Sequence, residues 1–481
     1  MVDAAKPDGQ APAGQPKLSG FRVALRYTGI PPSWLDKRPK LPSRNWLIFL
    51  SVTSSITGWY IYDRRQCKKI KQEYIDKVKD LSEVPSNPLD PPRKVTVYGA
   101  KWPNDEDYEQ GVKYFRKYVK PILVAAAVDY EMISGKRHGE IARRISEEVR
   151  KRRRLDAGVD QVPEVTKALP TYKPLPELRK YELEGGIIIV GRQTFKEVMA
   201  GLKNGWTDGL QRVDHEELLA QELADDGQFD EEDGFEGELA SPKTMPKLAH
   251  LSTPAFAGLN MSRPPPRPGQ QMKEPLITEA IDPPSSIPPI PPLLLVPFID
   301  YIGFTQIPLM IWDFFNQRHK FQSGAESAYR LIMGQTRPIL PPSDVDPVEG
   351  TPTQTETGDL SFDKQAEQYY KKSLDNFSSN VEKERKKYYD DLSGKLKTAR
   401  ELARGTRELT KDEENRPPPT EVELRAERLK KEQRWRNDLQ GWDIVKPSQP
   451  VVWDDRFRDS IRIFVDPKDG VLSDDYPTHS S

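Results

Sequence analysis

The run KVTVY, from Lys94 to Tyr98, is a short stretch of β-forming residues in the part of the chain that decides the fold. The next segment, Asp105 to Lys120, has apolar residues at helical spacing, and Pro121 ends it. Ile122 to Val128 (ILVAAAV) then predicts a second strand, because a continuous apolar run is expected where both faces of a strand are covered. A second helical pattern, His138 to Arg154, follows. The order strand, helix, strand, helix predicts an α/β fold with a mostly parallel sheet.

A third strand is predicted at Gly186 to Val190 (GIIIV), which leads through Gly191 into a helix that begins near Gln193. A glycine turn between a buried strand and a helix N-terminus can hold a phosphate group. The sequence here has neither G-x-G-x-x-G nor G-x-x-x-x-G-K-[ST], and turn geometry alone accounts for the glycine. A late apolar run, Ser460 to Val465 (SIRIFV), predicts one more strand that could pair at the edge of the sheet.

Upstream of the sheet, the run Asn45 to Tyr62 (NWLIFLSVTSSITGWYIY) carries no charge. It is long enough to cross a hydrocarbon layer of about 30 Å at about 1.5 Å per helical residue. The run therefore predicts a single N-terminal transmembrane helix, with a buried helix of a globular core as the alternative. Residues at its two ends would act as interfacial anchors: Arg44, Trp46, Trp59, Tyr62, Arg64 and Arg65.

Small side chains recur within the same run at three- and four-residue spacing: Ser51, Ser54, Ser55 and Gly58. A stripe of small residues lets another helix approach closely, so it predicts a helix-packing face. Chance is the alternative, because such spacings are common in apolar segments.

The segment that follows, Arg64 to Leu81, is mostly basic. Apolar residues share one of its helical faces: Ile70, Tyr74, Val78 and Leu81. The pattern is typical of either an internal targeting signal or an ordinary juxtamembrane helix. Residues 1–20 contain Asp3 and Asp8 and no Arg, which argues against a cleavable mitochondrial presequence.

The flanking charges bear on orientation. Four Lys or Arg lie between Tyr27 and Arg44, and seven lie between Asp63 and Asp80. A positive-inside count would keep the large C-terminal part on the side from which the protein is inserted, although long domains often defy the rule.

The composition limits the function. The 73 basic and 74 acidic residues nearly cancel, so no global basic field exists and no nucleic acid partner is expected. The single cysteine, Cys67, excludes disulfide frameworks and zinc clusters within one chain. The sequence has no catalytic signature, and none of its five histidines stands at metal-binding spacing. We therefore expect no metal and no cofactor, while the absence of a signature alone does not exclude an enzyme.

The middle of the chain changes in character. From Asp214 to Glu238 there are twelve Asp or Glu and no Lys or Arg, which predicts a disordered acidic loop that either is a solvated linker or holds a basic partner. Pro264 to Pro297 is too proline-rich for a helix or a central strand. Leu293 to Phe315 is apolar, but Asp300 and Asp313 argue against a second span and favour a protein core or a membrane surface.

Two helices are predicted near the C-terminus. Residues 363–409 carry a narrow apolar stripe that suits packing along another helix, with an interruption at Gly394. The next helix begins at Thr420, where Glu423 completes a capping box.

Five stretches of the first third are distinctive together: GIPPSWL (residues 29–35), LPSRNWLIF (Leu41 to Phe49), PRKVTV (Pro92 to Val97), KYVKPIL (Lys117 to Leu123) and DYEMI (Asp129 to Ile133). In this order they resemble the Tim fifty-four family, which belongs to the carrier translocase of the fungal mitochondrial inner membrane.

The resemblance implies a non-enzymatic scaffold subunit of the mitochondrial inner-membrane translocase that inserts multispanning carrier proteins. Its N-terminus would lie in the matrix and its large C-terminal domain in the intermembrane space, which disagrees with the flanking charges. Its partners would be the channel subunit of the carrier translocase, small intermembrane-space chaperones and inner-membrane lipid. The residues alone leave two alternatives open, a lipid-binding tether or organiser of membranes and a membrane-anchored α/β enzyme.

The predicted organisation has eight segments. They are residues 1–44, a flexible N-terminal tail; 45–62, the transmembrane helix; 63–91, a basic juxtamembrane helix and linker; 92–210, the α/β domain; 211–292, an acidic and Pro-rich disordered linker; 293–340, an apolar helical segment packed on the domain; 360–440, a charged helical region; and 441–481, a C-terminal tail with a late strand.

Overall fold

The computed structural model describes residues 43–83, 92–103, 105–160, 172–211, 214–229, 283–342, 358–370, 374, 376–409, 413, 417–447 and 449–467. The chain divides into two compact units, residues 1–62 and residues 63–481. Helix α1 (Arg44–Val78) runs through the boundary between them. The N-terminal tail up to residue 42 and residues 230–282 of the predicted linker lie outside the described residues.

The second unit contains the strands and the remaining helices. The helices are α2 (Gln110–Tyr118), α3 (Lys120–Ala125), α4 (Glu140–Asp156), α5 (Leu175–Gly185), α6 (Arg192–Thr207), α7 (His215–Ala224), α8 (Ile307–Phe315), α9 (Arg318–Met333), α10 (Phe377–Ala403) and α11 (Glu421–Val445). The strands are β1 (Lys94–Gly99), β2 (Asp129–Ser134), β3 (Ile187–Val190), β4 (Leu293–Val296), β5 (Thr336–Pro338) and β6 (Arg462–Phe464).

The strands form one mixed sheet in the order β2-β1-β3-β4-β6-β5. Strand β1 is parallel to β2 and β3, and β4 is parallel to β3 and β6. In this register Val97 lies opposite both Met132 and Ile188. Strand β5 runs antiparallel to β6 and ends the sheet. The late strand β6 therefore lies inside the sheet rather than at its edge.

Both faces of the sheet are covered by apolar packing. Alternate side chains of a strand point to opposite faces, so Val97 joins the core beneath α2, α3 and α9, whereas Tyr98 joins the core beneath α4 and α6. Neighbouring Ile188 and Ile189 divide in the same way, and both are fully buried. Two-sided burial explains why β3 is a continuous apolar run.

The prediction of a transmembrane helix is wrong. Among the described residues, no helix combines the length and the apolar character that crossing a membrane requires. Helix α1 is long, at 35 residues, but its charge-free run contains five hydroxyl side chains between Ser51 and Thr57, which lower its hydropathy. The single-pass topology, with the N-terminus in the matrix, depended on this span and is corrected with it.

The predicted second strand is also wrong. Within Ile122 to Val128, the residues up to Ala125 belong to helix α3, and the strand begins at Asp129. Ile122 and Leu123 are fully buried whereas Val124 is 56% exposed, so only one side of the run is covered. Pro121 lies in the first turn of α3, where its missing N–H costs no hydrogen bond.

The segments predicted as linker and as apolar helix contain other elements. Asp214 caps helix α7 by accepting hydrogen bonds from the backbone N–H groups of Glu216 and Glu217, and acidic residues suit a first turn. The proline-rich run continues into the central strand β4, because its prolines stop at Pro292 and leave the backbone N–H groups of Leu293 to Val296 free to pair.

The C-terminal part of α1 packs on its own domain. Val78 is fully buried, and Ile70 and Tyr74 pack against the core that α2 and α9 cover, while Leu81 remains exposed. The apolar face of this segment thus has a structural use within the chain.

Helices α10 and α11 pack together through a separate apolar cluster that includes Val381, Leu392, Leu424 and Trp435. The capping box at Thr420 and Glu423 is confirmed, with both reciprocal hydrogen bonds present.

Candidate functional site

The strand order locates the place where an α/β sheet of this kind binds ligands. After β1 the chain adds β2 on one side, and β3 and β4 follow on the other side of β1. Ligands of open α/β sheets bind outside the carboxyl ends of the strands at such a reversal point. The crevice of interest therefore lies at the ends of β1 and β3.

The first turn of α6 connects the ends of β1 and β3. The Thr194 hydroxyl accepts a hydrogen bond from Ala100 N at 2.9 Å and donates one to Val190 O, which ties together the ends of β1 and β3. Gly191 has φ of +81°, and a Cβ there would lie 3.0 Å from the Gln193 side chain. Gln193 is itself fully buried, so it occupies the space beside the glycine.

Residues 358–370, here named the cover segment, lie over the crevice. The guanidinium of Arg192, which follows β3, donates to the carbonyl groups of Leu360 and Phe362 and pairs with Glu367 at 2.8 Å. Lys196 pairs with the same carboxylate at 2.6 Å and donates to a backbone carbonyl of α11's C-terminal end. Because Arg192 and Lys196 are both fully buried, their pairing with Glu367 offsets a large desolvation cost.

Aromatic contacts fix the other end of the cover segment. Trp102, which follows β1, meets the rings of Phe298 and Tyr370 edge-on, at centroid distances of 5.5 and 5.1 Å. Asp363 adopts a left-handed φ of +50° and accepts a hydrogen bond from Phe298 N at 3.0 Å. Burial raises the pKa of Asp363 to about 6. The cover segment thus contacts residues at the carboxyl ends of β1, β3 and β4.

A second buried group lies where α6 packs on the start of α4, close to α11. Glu197 of α6 accepts hydrogen bonds from the backbone N–H groups of Gly139 and Ile141, at the start of α4. Burial raises the pKa of Glu197 to about 7, against the lowering effect of those hydrogen bonds. Gly139 has φ of +74°, and a Cβ there would lie 2.6 Å from the Cα of Gly441 on α11. Only glycine fits this close approach of the two backbones.

The residues predicted as a helix-packing face lie on the outside of α1. Ser51, Ser54, Ser55 and Gly58 are all exposed, and a Cβ built on Gly58 meets no atom within 4 Å. The hydroxyls of Ser51 and Ser55 donate to backbone carbonyls of their own helix, so the exposed face presents little unsatisfied polar surface.

The predicted interfacial anchors differ from one another in their surroundings. Within the first unit, Trp46, Trp59 and Tyr62 are 41 to 58% exposed, and Arg44 is also exposed. In the second unit Arg65 is exposed, whereas Arg64 is half-buried.

Arg64 belongs to a group of cations that sequence reasoning missed. Its guanidinium donates to the side chain of Gln317 and lies 5.5 Å from the ring centroid of Phe314. Lys117 donates to the same Gln317 oxygen at 2.9 Å, and Lys320 pairs with Asp313 at 2.7 Å. Desolvation lowers the pKa of Lys117, with further lowering by Arg64 and Lys320. We name Arg64, Lys117 and Lys320 the basic cluster.

Asp63 organises this region. It is buried, and its carboxylate accepts hydrogen bonds from the backbone N–H groups of Gln317 and Arg318, at 3.1 and 3.2 Å. The carboxylate therefore caps the N-terminus of α9 from a distant helix. In the sequence Asp63 stood out only as the charge that ends an apolar run.

Helix α8 lies directly before the basic cluster, and none of its residues is buried. In the same predicted segment, helix α9 buries Ala325, Ala328 and Leu331. The exposed apolar side chains of α8 are Ile307, Leu309, Met310, Ile311, Trp312 and Phe314.

The carboxyl ends of β1, β3 and β4 are contacted by the chain's own cover segment, and α8 carries contiguous exposed apolar surface. Surface of this kind on a folded domain is typical of a protein that contacts other macromolecules or a membrane. A family model described as "Inner membrane protein import complex subunit Tim54" matches residues 23–441, and the chain belongs to this family. The resemblance seen in the first third of the sequence is thereby confirmed.

Curated relatives carry matching names. A protein of Cryptococcus neoformans var. neoformans serotype D (strain JEC21), named "Mitochondrial import inner membrane translocase subunit TIM54", is 37% identical over 460 residues, which cover 94% of this chain and 96% of the relative. The protein of that name from Candida albicans is 28% identical over 364 residues, covering 68% and 86%. That of Yarrowia lipolytica is 30% identical over 321 residues, covering 52% and 55%.

Proposed function

We propose that the protein is a non-enzymatic scaffold subunit of the mitochondrial inner-membrane translocase that inserts multispanning carrier proteins. The observation that carries the proposal is the cover segment, which contacts residues at the carboxyl ends of β1, β3 and β4, where an α/β enzyme would bind its substrate. Membership of the import-complex family supports it. The domain then contributes surfaces for other subunits rather than a reaction site.

The partners we propose are the channel subunit of the carrier translocase, the small chaperones of the intermembrane space and inner-membrane lipid. The large C-terminal domain faces the intermembrane space in this proposal, because the chaperones that deliver carriers work there.

The helix-packing face of α1 is the surface we propose for a helix of the channel subunit. Ser51, Ser54, Ser55 and Gly58 leave room for a backbone to approach, and the space beside Gly58 is open. Small residues let two helices pack closely, which strengthens their dispersion contacts.

The test is co-purification of translocase subunits with the tagged full-length chain from mitochondria. Ser54→Leu and Gly58→Leu would separate the two helices, and we expect a roughly tenfold loss of the channel subunit, which corresponds to about 1.4 kcal/mol of binding free energy. Ile56→Leu is the matched control, because Ile56 lies on the opposite side of α1.

Unchanged recovery of the channel subunit with both leucine variants would refute the assignment of this face. If no translocase subunit accompanies the unmutated chain, the scaffold proposal itself fails.

A further inference from the structure

Apolar exposure in the second unit is concentrated in and just before helix α8. Phe304, on the turn that leads into α8, is 92% exposed, and Ile311 and Trp312 are 54 and 60% exposed. Among the other described residues of this unit, exposed large apolar side chains stand singly along the chain, as Leu218 and Val422 do. Contiguous apolar surface on a folded domain marks an interaction site, whereas single exposed residues do not.

The exposed apolar side chains lie on all sides of α8 and do not form a single stripe. Four successive residues, Leu309 to Trp312, are 38 to 60% exposed, and successive helical residues point about 100° apart. A protein partner that binds a helix in a groove contacts residues at three- and four-residue spacing on one side. A helix that enters the boundary between lipid headgroups and acyl chains is instead surrounded by apolar material.

The basic cluster provides the second feature of a lipid-facing site. Arg64 and Lys117 both contact Gln317, two residues beyond the end of α8, and Lys320 lies within one further turn. Arg65 and Lys68 are exposed on the adjacent turn of α1. Cations beside an apolar surface match the charge of anionic headgroups.

Two acidic groups lie among these cations. Asp63 is buried and engaged by the backbone of α9, and Asp313 pairs with Lys320. The cations outnumber the anions, so the rim of the apolar surface keeps a positive charge.

We propose that α8 and Phe304 insert into the interface of a bilayer that contains anionic phospholipid, while the basic cluster contacts the headgroups. A nine-residue helix measures roughly 13 Å, less than half of a hydrocarbon layer of about 30 Å, so α8 lies in the interface. This inference rests on the proposed contact with inner-membrane lipid and deepens it, because it names the lipid class and the part of the chain that touches it, and it requires no other subunit.

The test places a fluorescent reporter on α8 of the full-length chain. Met310→Cys is labelled with an environment-sensitive maleimide and mixed with vesicles of phosphatidylcholine and phosphatidylglycerol. Cys67 is buried and its pKa is raised to about 11, so it labels slowly, and the parent chain is the labelling blank. Val422→Cys is the matched control, since Val422 is 77% exposed on α11.

We expect the emission of the probe at residue 310 to shift to shorter wavelength on vesicles and to be quenched by a spin label on the acyl chains. The probe at residue 422 should stay in water. Lys117→Gln should weaken the response at residue 310 by about fivefold, the expected effect of one cation near an anionic surface.

A probe at residue 310 that stays in water on vesicle-bound protein would overturn the inference. Shielding that appears without vesicles and grows with protein concentration would also overturn it, because the occupant would then be a second copy of the chain. The assay contains lipid and this protein only, so its outcome is independent of the co-purification test.

Discussion

Glu197 carries a fully buried carboxyl group. It accepts hydrogen bonds from backbone N–H groups at the start of another helix, α4. In the sequence it is one acidic residue within α6, and nothing marks it as buried. Its two backbone donors, Gly139 and Ile141, lie more than fifty residues earlier in the chain. The residue therefore acquires its role only when α4 and α6 pack together.

Burial gives Glu197 a defined effect on stability. Its pKa is raised from 4.5 to about 7, so the folded chain holds this proton more tightly than the unfolded chain does. Unfolding then releases a proton between those pH values, and the contribution of Glu197 to the free energy of unfolding falls as pH rises through this range. The expected loss is on the order of 3 kcal/mol.

We predict that Glu197→Gln removes this pH dependence. A neutral amide cannot ionise, but it replaces the hydroxyl of the protonated carboxyl group with an NH2 group that accepts no hydrogen bond, and so it lowers stability at pH 5 by about 1–3 kcal/mol. The measurement is the urea midpoint of the full chain from pH 5 to pH 8, followed by tryptophan fluorescence. Glu147→Gln, at an exposed position on α4, is the control. Equal pH slopes for Glu197→Gln and the parent chain would contradict the prediction.

The cover segment is an element that the sequence did not reveal. The sequence predicted one helical region over residues 363–409, which includes the second half of the cover segment. In the structure, residues 364–369 form a 3₁₀ helix, and the α-helix begins only at Phe377. This 3₁₀ conformation is favoured because it places the Glu367 carboxylate where it pairs with Arg192 and Lys196. Such a tertiary interaction overrides local helix propensity, which contributes well under 1 kcal/mol per residue.

We predict that Glu367→Gln loosens the cover segment. The variant leaves two buried cations without their carboxylate, and breaking a buried pair in this way costs about 3–5 kcal/mol. Hydrogen exchange of the amides in residues 358–370 should become faster, and the urea midpoint should fall.

Asp466→Asn is the control for that experiment, because the Arg330–Asp466 pair is largely exposed and worth about 0–1 kcal/mol. If Glu367→Gln changes exchange no more than Asp466→Asn does, the cover segment is held by its aromatic contacts instead.

Some elements followed from local pattern and others did not. The β3 run and the capping box at Thr420 were readable, because one has isoleucines covered on both faces and the other has its signal within four residues. Ile122 to Val128 was misread, since a short apolar run fits a buried strand and a buried helix equally well. The helix-capping role of Asp63 depends on a contact with residues about 250 positions away, beyond any local pattern.

The second unit combines an α/β sheet domain with exposed helices whose surfaces differ from one another in chemistry. Helices α10 and α11 present a charged surface, whereas α8 presents an apolar one beside the basic cluster. These surfaces are useful only if the domain lies in the compartment where its partners are. The side of the inner membrane on which the domain lies is therefore central to the proposed function.

The flanking charges no longer bear on that side. The count of seven basic residues between Asp63 and Asp80 against four between Tyr27 and Arg44 orients a chain only around a membrane-spanning helix, and no helix among the described residues is long and apolar enough to be one. The scaffold proposal places the domain in the intermembrane space, so we expect it there. A C-terminal tag should then resist protease in intact mitochondria and be digested once the outer membrane is ruptured, with a matrix protein as the protected control. A tag that stays protected until detergent opens the inner membrane would place the domain in the matrix, and docking of chaperone-delivered carriers would have to be abandoned.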